Sequence, residues 1–158
     1  MIKLRPSTSR DTTRILEIWS KAVDATHDFL LPADRTALGE EVAAFLPQAP
    51  MTLAVEGSDR PLGFMLLHEG HMEALFIDPD QHGKGIGTAL VQAALALHPA
   101  LTTDVNEQNA QALGFYRRLG FEPTGRSDLD GQGRPYPLIH PRFCAMRNEP
   151  PDRVIGLG

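Results

Sequence analysis

The chain has 158 residues, 42% of them hydrophobic, and a formal charge of −5 at neutral pH. That length fits one domain, and that hydrophobic share supports a packed core rather than a disordered chain. The acidic balance sets the average field against nucleic acid, whose phosphates need cations, and no apolar run approaches the ~18 residues of a membrane span.

The opening MIKLRPSTSR lacks the apolar stretch of an export signal, and a single cysteine, Cys144, cannot form an internal disulfide. Cys144 reads as a reduced core residue, and the two features together predict a cytoplasmic protein. No Cys/His cluster has zinc-site spacing, so no metal is expected. Neither a nucleic acid nor a membrane is expected as a partner.

The alternating IKLR predicts a short first strand. In STSRDTTRILEIWSKAVDATHDFL, residues Ile15, Ile18, Trp19, Ala22 and Val23 recur at helical spacing, with Ser9 or a neighbouring Ser/Thr as cap. Pro32 and Asp34 open a second helix that puts Leu38, Val42 and Phe45 on one face and ends at Pro47 and Pro50. MTLAVE and LGFMLLHE are strands joined by the turn GSDRP, and HMEALFID is a third strand after Gly70. A glycine loop then enters a helix from about Ile86 to Leu97, closed by Pro99. LTTDVN is a strand, and NAQALGFYRRL is a helix stopped by Gly120 as a left-handed cap. FEPTGRS starts another strand, GQGRP breaks the chain, and LIHPRFCAM is the last strand. This order predicts an α+β fold. One domain over 1–147 surrounds a mixed, mostly antiparallel sheet flanked by helices, and 148–158 is expected to be a flexible tail.

Gly83, Gly85 and Gly87 stand at alternate positions directly before a helix. A helix N-terminus carries unpaired N–H groups and partial positive charge, and glycines let those groups approach an anion with no Cβ in the way. Strand, loop and helix therefore read as a phosphate cradle. Neither the Walker pattern nor the GxGxxG dinucleotide fingerprint is present, so a nucleotide-binding protein lacks its motifs.

The segment LFIDPDQHGKGIGTALV, followed by NAQALGFYRRLGF, resembles the GNAT superfamily of acetyl-CoA-dependent N-acetyltransferases. That family's loop reads Arg/Gln-x-x-Gly-x-Gly/Ala, and His82-Gly83-Lys84-Gly85-Ile86-Gly87 occupies those six positions. Asn109, Tyr116, Gly120 and Phe121 match its second motif, and the order of elements agrees over roughly residues 2–145. The ending GRSDLDGQGRPYPLIH resembles the bacterial YjaB-type branch.

The resemblance implies that the strand at 71–77 splays from the strand at 101–106. The pantetheine arm of acetyl-CoA, the cosubstrate, would pair with Leu75, Phe76 and Ile77 like an added strand. Its pyrophosphate would sit on the N–H groups of Gly83, Lys84, Gly85, Ile86, Gly87 and Thr88. Asn109 either contacts the cosubstrate or caps its helix, two compatible roles. Tyr116 would be the general acid for the leaving thiolate, in direct attack by an amine within a ternary complex.

The base stays open among Glu73, His71 and Asp104, with alternation placing His71, Glu73 and Leu75 on one strand face. The oxyanion donor is expected to be the N–H of Ile77 or Phe76. His82 departs from the family's Arg or Gln. Its protonated form is expected to contact the pyrophosphate, against the alternative of an exposed loop histidine. His27 and Asp28 fall where relatives line the acceptor pocket, while His68, His98 and His140 read as structural. The implied function is acetyl transfer to a primary amine, which is a protein lysine, a protein N-terminus or a small amine, by a monomer or homodimer. The alternative is a non-catalytic acyl-CoA-binding sensor or partner module.

Overall fold

The structure, a computed structural model, describes residues 2–143. Cys144 and the expected tail lie outside the described residues. In chain order the elements are β1 (Lys3–Pro6), α1 (Thr12–Thr26), α2 (Pro32–Phe45), β2 (Thr52–Val55), β3 (Pro61–His68) and β4 (His71–Ile77). After them come α3 (Ile86–Leu97), β5 (Thr102–Thr103), β6 (Val105–Asn106), α4 (Ala110–Leu119), β7 (Phe121–Ser127) and β8 (Leu138–Phe143).

Local chemistry sets the helix ends. Thr8, the neighbour of Ser9, is the cap, and it caps a 3₁₀ turn that precedes α1. Its hydroxyl accepts from the Arg10 N–H, and the Asp11 carboxylate accepts from the Thr8 N–H at 2.8 Å. Helix α2 starts with Pro32 at its first position, where a missing N–H costs nothing. Phe45 leaves the expected buried face and is 56% exposed, while Leu46 is 6% exposed. The chain tightens into a 3₁₀ turn at Leu46–Gln48, so the inward row runs 38, 42, 46 instead of ending at 45. Gly120 caps α4 with φ 108°, as its position predicted.

The sheet runs β1-β2-β3-β4-β5-β8-β6, with β7 on β8. β4 and β5 are its parallel pair, and the other pairings are antiparallel. Thr102 faces Arg142, Val105 faces Ile139 and Asn106 faces Leu138 in one unbroken register. β5 and β6 are therefore one strand interrupted at Asp104.

Two helical layers cover the two faces. α1 and α2 enclose Ile18, Leu53 and Phe64, all with no measurable exposure, and α3 and α4 enclose Leu90, Val91 and Leu101. Burial of each such side chain contributes roughly 1.5–3 kcal/mol. Gly63 on β3 lets the α3 layer approach the sheet, because a Cβ there would lie 2.7 Å from Ile77 Cδ1 and 3.1 Å from Ile86 Cγ2.

Candidate active site

The β4–β5 pairing covers only His71↔Thr102 and Met72↔Thr103, and beyond it the strands part as the family resemblance implied. The Asp78 N–H bonds the Leu62 carbonyl of β3 at 2.8 Å. Amides alternate along a strand, so Phe76 also faces β3, while the Leu75 and Ile77 amides face the gap. Of the two amides expected as oxyanion donors, only that of Ile77 faces the gap.

The gap opens into a cavity of about 520 Å³. Leu75, Phe76, Ile77, His82, Gly83, Gly85, Ile86, Gly87, Thr88, Asn109, Tyr116 and His27 all line it. Lys84 and Asp28 do not; Lys84 turns its ammonium to the Gln81 carboxamide at 2.7 Å. The three glycines answer to different demands. Gly83 and Gly85 have φ of 83° and 76°, left-handed values that side chains resist, and Gly85 is the N-cap of α3. Gly87 makes room: a Cβ there would lie 3.2 Å from Phe115 Cζ. Asn109 caps α4 by accepting from the Ala112 N–H at 3.1 Å while also lining the cavity.

Tyr116 is 7% exposed, edge-on to Phe115 at 5.1 Å and to Phe121 at 5.2 Å. Burial raises its phenol above the ordinary tyrosine value, and a hydrogen bond with Thr103 opposes that only in part. The group therefore keeps its proton throughout the neutral range. His27 is held by the Thr26 hydroxyl at 2.7 Å, and burial lowers its pKa against the nearby Asp28 charge. Its ring meets Phe29, which meets Tyr136.

His71 does not share the expected face with Leu75, and Glu73 falls outside the alternation. The β3–β4 register shifts between Leu66 and Leu67, leaving Glu73 as the extra residue of a bulge. Met72, Leu75 and Ile77 consequently pack into the α3/α4 core, and Ala74 and Phe76 into the α1/α2 core. Glu73, His71 and Asp104 all stand outside the cavity lining. Asp104 and His71 are joined, with His71 Nε2 3.2 Å from Asp104 Oδ2. His140, expected to be structural, places Nδ1 2.7 Å from Asp104 Oδ1.

Two features escaped sequence reasoning. Asp78, 1% exposed, binds Arg14 at 2.6 Å and Lys21 at 3.1 Å, and caps the turn Pro79–Gln81 that leads into the glycine loop. Burial alone would raise its carboxyl, but the hydrogen bonds from Arg14, the Asp80 N–H and Lys21 outweigh that and hold it at about 2. The other is the docking of the GQGRP segment. Arg134 pairs with Glu41 at 2.7 Å, and the Tyr136 hydroxyl donates to Asp34. The pairing of Asp78 with α1 had no local signal; the aromatic in GRPYP was a weak one. Among the described residues, no group of three or more His, Cys, Asp or Glu is arranged to hold a metal ion, and no helix is long and apolar enough to cross a membrane.

Residues 49–123 match the acetyltransferase (GNAT) domain. The chain is 55% identical over 140 residues to the peptidyl-lysine N-acetyltransferase YjaB of Salmonella typhimurium, covering 89% of this chain and 97% of the relative. The solution structure of apo-form YjaB from Escherichia coli superposes with a TM-score of 0.87 at 51% identity, over 90% of this chain and 97% of that one. The PaiA N-acetyltransferase of Thermoplasma acidophilum, solved in complex with coenzyme A, shares the fold with a TM-score of 0.70 at 16% identity, over 89% and 98% of the two chains. The split sheet, the loop that opens beside it and these relatives lead to one conclusion: the chain belongs to the GNAT family of acetyltransferases and is an N-acetyltransferase.

Proposed function

We propose that this protein moves the acetyl group of acetyl-CoA to the ε-amine of protein lysines by direct attack in a ternary complex. The observation that carries the reading is the junction at the split: free strand-edge amides, a glycine-opened helix N-terminus and a buried phenol meet around one cavity. The acceptor class rests on similarity to YjaB, a peptidyl-lysine N-acetyltransferase.

The residues divide the work by their chemistry. Leu75 and Ile77 offer edge N–H and C=O groups to the amide-bearing arm of the cosubstrate. Amides at the start of α3, freed by Gly83, Gly85 and Gly87, receive its pyrophosphate, and His82 adds a contact there when protonated. The Asn109 carboxamide oxygen is committed to its cap, so its NH₂ is the part offered to the cosubstrate. The Ile77 N–H faces the side on which the thioester oxygen gains charge. Tyr116, protonated, buried and on the cavity wall, gives its proton to the leaving sulfur in this reading. His27 forms part of the acceptor wall.

The test is thiol release from acetyl-CoA with a panel of lysine peptides, N-terminal peptides and small amines. Turnover on internal lysines, with acetyl-lysine found by mass spectrometry, is the expected result. Turnover confined to N-termini or small amines overturns the acceptor assignment. Saturable acetyl-CoA binding with no turnover on any amine makes the chain an acyl-CoA-binding module instead.

A further inference from the structure

A continuous polar chain crosses four strands at the point where the sheet splits. Thr102 Oγ1 lies 2.7 Å from His71 Nδ1, and His71 Nε2 lies 3.2 Å from Asp104 Oδ2. Asp104 Oδ1 lies 2.7 Å from His140 Nδ1, and His140 Nε2 lies 2.7 Å from Ser127 Oγ. One carboxylate thus stands between two imidazoles, and each imidazole is backed by a hydroxyl.

The hydrogen positions follow from the partners. In the neutral state each imidazole donates one N–H to Asp104, and its other nitrogen accepts from Thr102 or Ser127. When an imidazole takes a proton, the same hydroxyl turns and becomes the acceptor. Thr102 has the Gly70 carbonyl, 3.5 Å away, to receive its released hydrogen. Both protonation states keep their hydrogen bonds, so uptake costs little rearrangement. The added positive charge meets a carboxylate that is already in place.

The location gives the chain its use. Thr103, next along the strand, turns to the α3/α4 face and meets Tyr116, whereas Asp104 turns to the opposite face, one position beyond the last β4–β5 pair. Asp104 and its imidazoles thus stand where the strands begin to part, on the sheet face opposite Tyr116.

We propose that Asp104 and His71 act as one proton-accepting unit for the attacking amine, with His140 and Ser127 as positioning residues. The inference rests on the acetyltransferase reading above. The ammonium gives one proton through water to the His71 imidazole, which later passes it to solvent. The freed lone pair forms the C–N bond, the C–S bond breaks, and the sulfur takes the Tyr116 proton. The second nitrogen proton, lost as the amide forms, restores the phenol. Other ionisable groups surround the unit. Glu69, His98 and Arg142 line a second cavity with His71, Glu73 lies on β4, and Arg126 beside Ser127 is paired with Glu107 and Asp128.

Three variants, His140→Gln, Ser127→Ala and Ser127→Thr, test the proposal with two readouts. In turnover on a lysine peptide, His140→Gln is expected to lower kcat about tenfold or more, below the ~10²–10⁴ carried by a full acid–base group. It should also displace the acidic limb of the pH profile and leave the acetyl-CoA Kd unchanged. Ser127→Ala is expected to fall in the same direction, with Ser127→Thr close to wild type. Independently of activity, imidazole NMR should show His71 titrating at higher pH in His140→Gln, because Asp104 is no longer shared. An unmoved His71 titration, or a wild-type pH profile in both His140→Gln and Ser127→Ala, overturns the unit while leaving the acetyltransferase standing. Absence of turnover in the parent protein refutes the function itself, and the His71 titration then still decides whether the groups are coupled.

Discussion

Replacing Asp78 by Asn is expected to lower stability by about 3 kcal/mol, toward the low end of what breaking a buried ion pair costs. The carboxylate is 1% exposed and receives Arg14 at 2.6 Å and Lys21 at 3.1 Å. Its pKa falls from 3.8 to about 2 on folding, a difference worth roughly 2.4 kcal/mol at ~1.36 kcal/mol per pKa unit. Asparagine keeps the shape but leaves Arg14, 13% exposed, with the rim carboxylate of Glu17 as its one remaining described ion pair beside the Pro61 carbonyl at 2.9 Å. Lys21 keeps Asp80 at 2.6 Å and stays accessible to water, which limits the loss.

For a domain of this size that loss lowers Tm by roughly 6–12 °C, measurable by thermal unfolding at neutral pH. The sign with pH follows from the lowered value. The contribution is complete above an unfolded-state pKa near 4 and disappears as pH falls through about 2. Urea midpoints of the two proteins should therefore converge between about pH 5 and pH 2. The double variant with Arg14→Gln should lose less than the sum of the singles by over ~1 kcal/mol. A Tm within 2 °C of wild type, or strict additivity, would refute the reasoning.

Tyr116→Phe removes the proton donor but not the ring, so kcat should fall ~10²-fold or more with acetyl-CoA binding nearly unchanged; an unchanged kcat in a thiol-release assay excludes Tyr116 from the chemistry. Gly83→Ala forces a side chain into φ 83°, which costs about 1–2 kcal/mol. It should also weaken acetyl-CoA binding in calorimetry, and equal affinity would mean that the loop amides do not hold the anion. If protonated His82 grips the pyrophosphate, acetyl-CoA affinity declines as pH rises, and His82→Ala flattens the curve. A flat wild-type Kd from pH 5.5 to 8 rejects that contact. Tyr136→Phe cuts the bonds to Asp34 and the Leu31 N–H, and is expected to raise the acceptor KM several-fold with little change in the acetyl-CoA Kd.

What the sequence made legible was whatever repeats locally. Helix α3 begins at Ile86 and ends at Leu97 as spacing and Pro99 implied, and the strand split fell where the two motifs bracket it. Three kinds of information were hidden. A bulge is a mismatch between two strands, so nothing within HMEALFID marks Glu73 as the extra residue, and strict alternation put it on the wrong face. The role of His140 is set by a partner 36 positions away, and only the β6–β8 register brings Asp104 opposite it. Asp78 looks like one more turn residue until α1 lays Arg14 and Lys21 against it.

The register of a single strand determines how the two halves of the chemistry are divided. Thr103 and Asp104 are neighbours, so the pleat sends them to opposite faces, one to the phenol proposed to serve the leaving group and the other to the imidazoles proposed to serve the nucleophile. The ladder to β8 pins that strand at Thr102, Val105 and Asn106. A one-residue insertion at this point would send Asp104 toward Tyr116, bringing a carboxylate against a buried phenol and removing the carboxylate from between two histidines. Acid and base would then be lost together, although neither Tyr116, His71 nor His140 had been touched. Under the proposed mechanism the segregation would also separate the two substrates, with the phosphate-bearing arm beside α3 and the amine on the Asp104 face of the sheet. Neither would then have to leave for the other to enter, as the proposed direct transfer in a ternary complex requires.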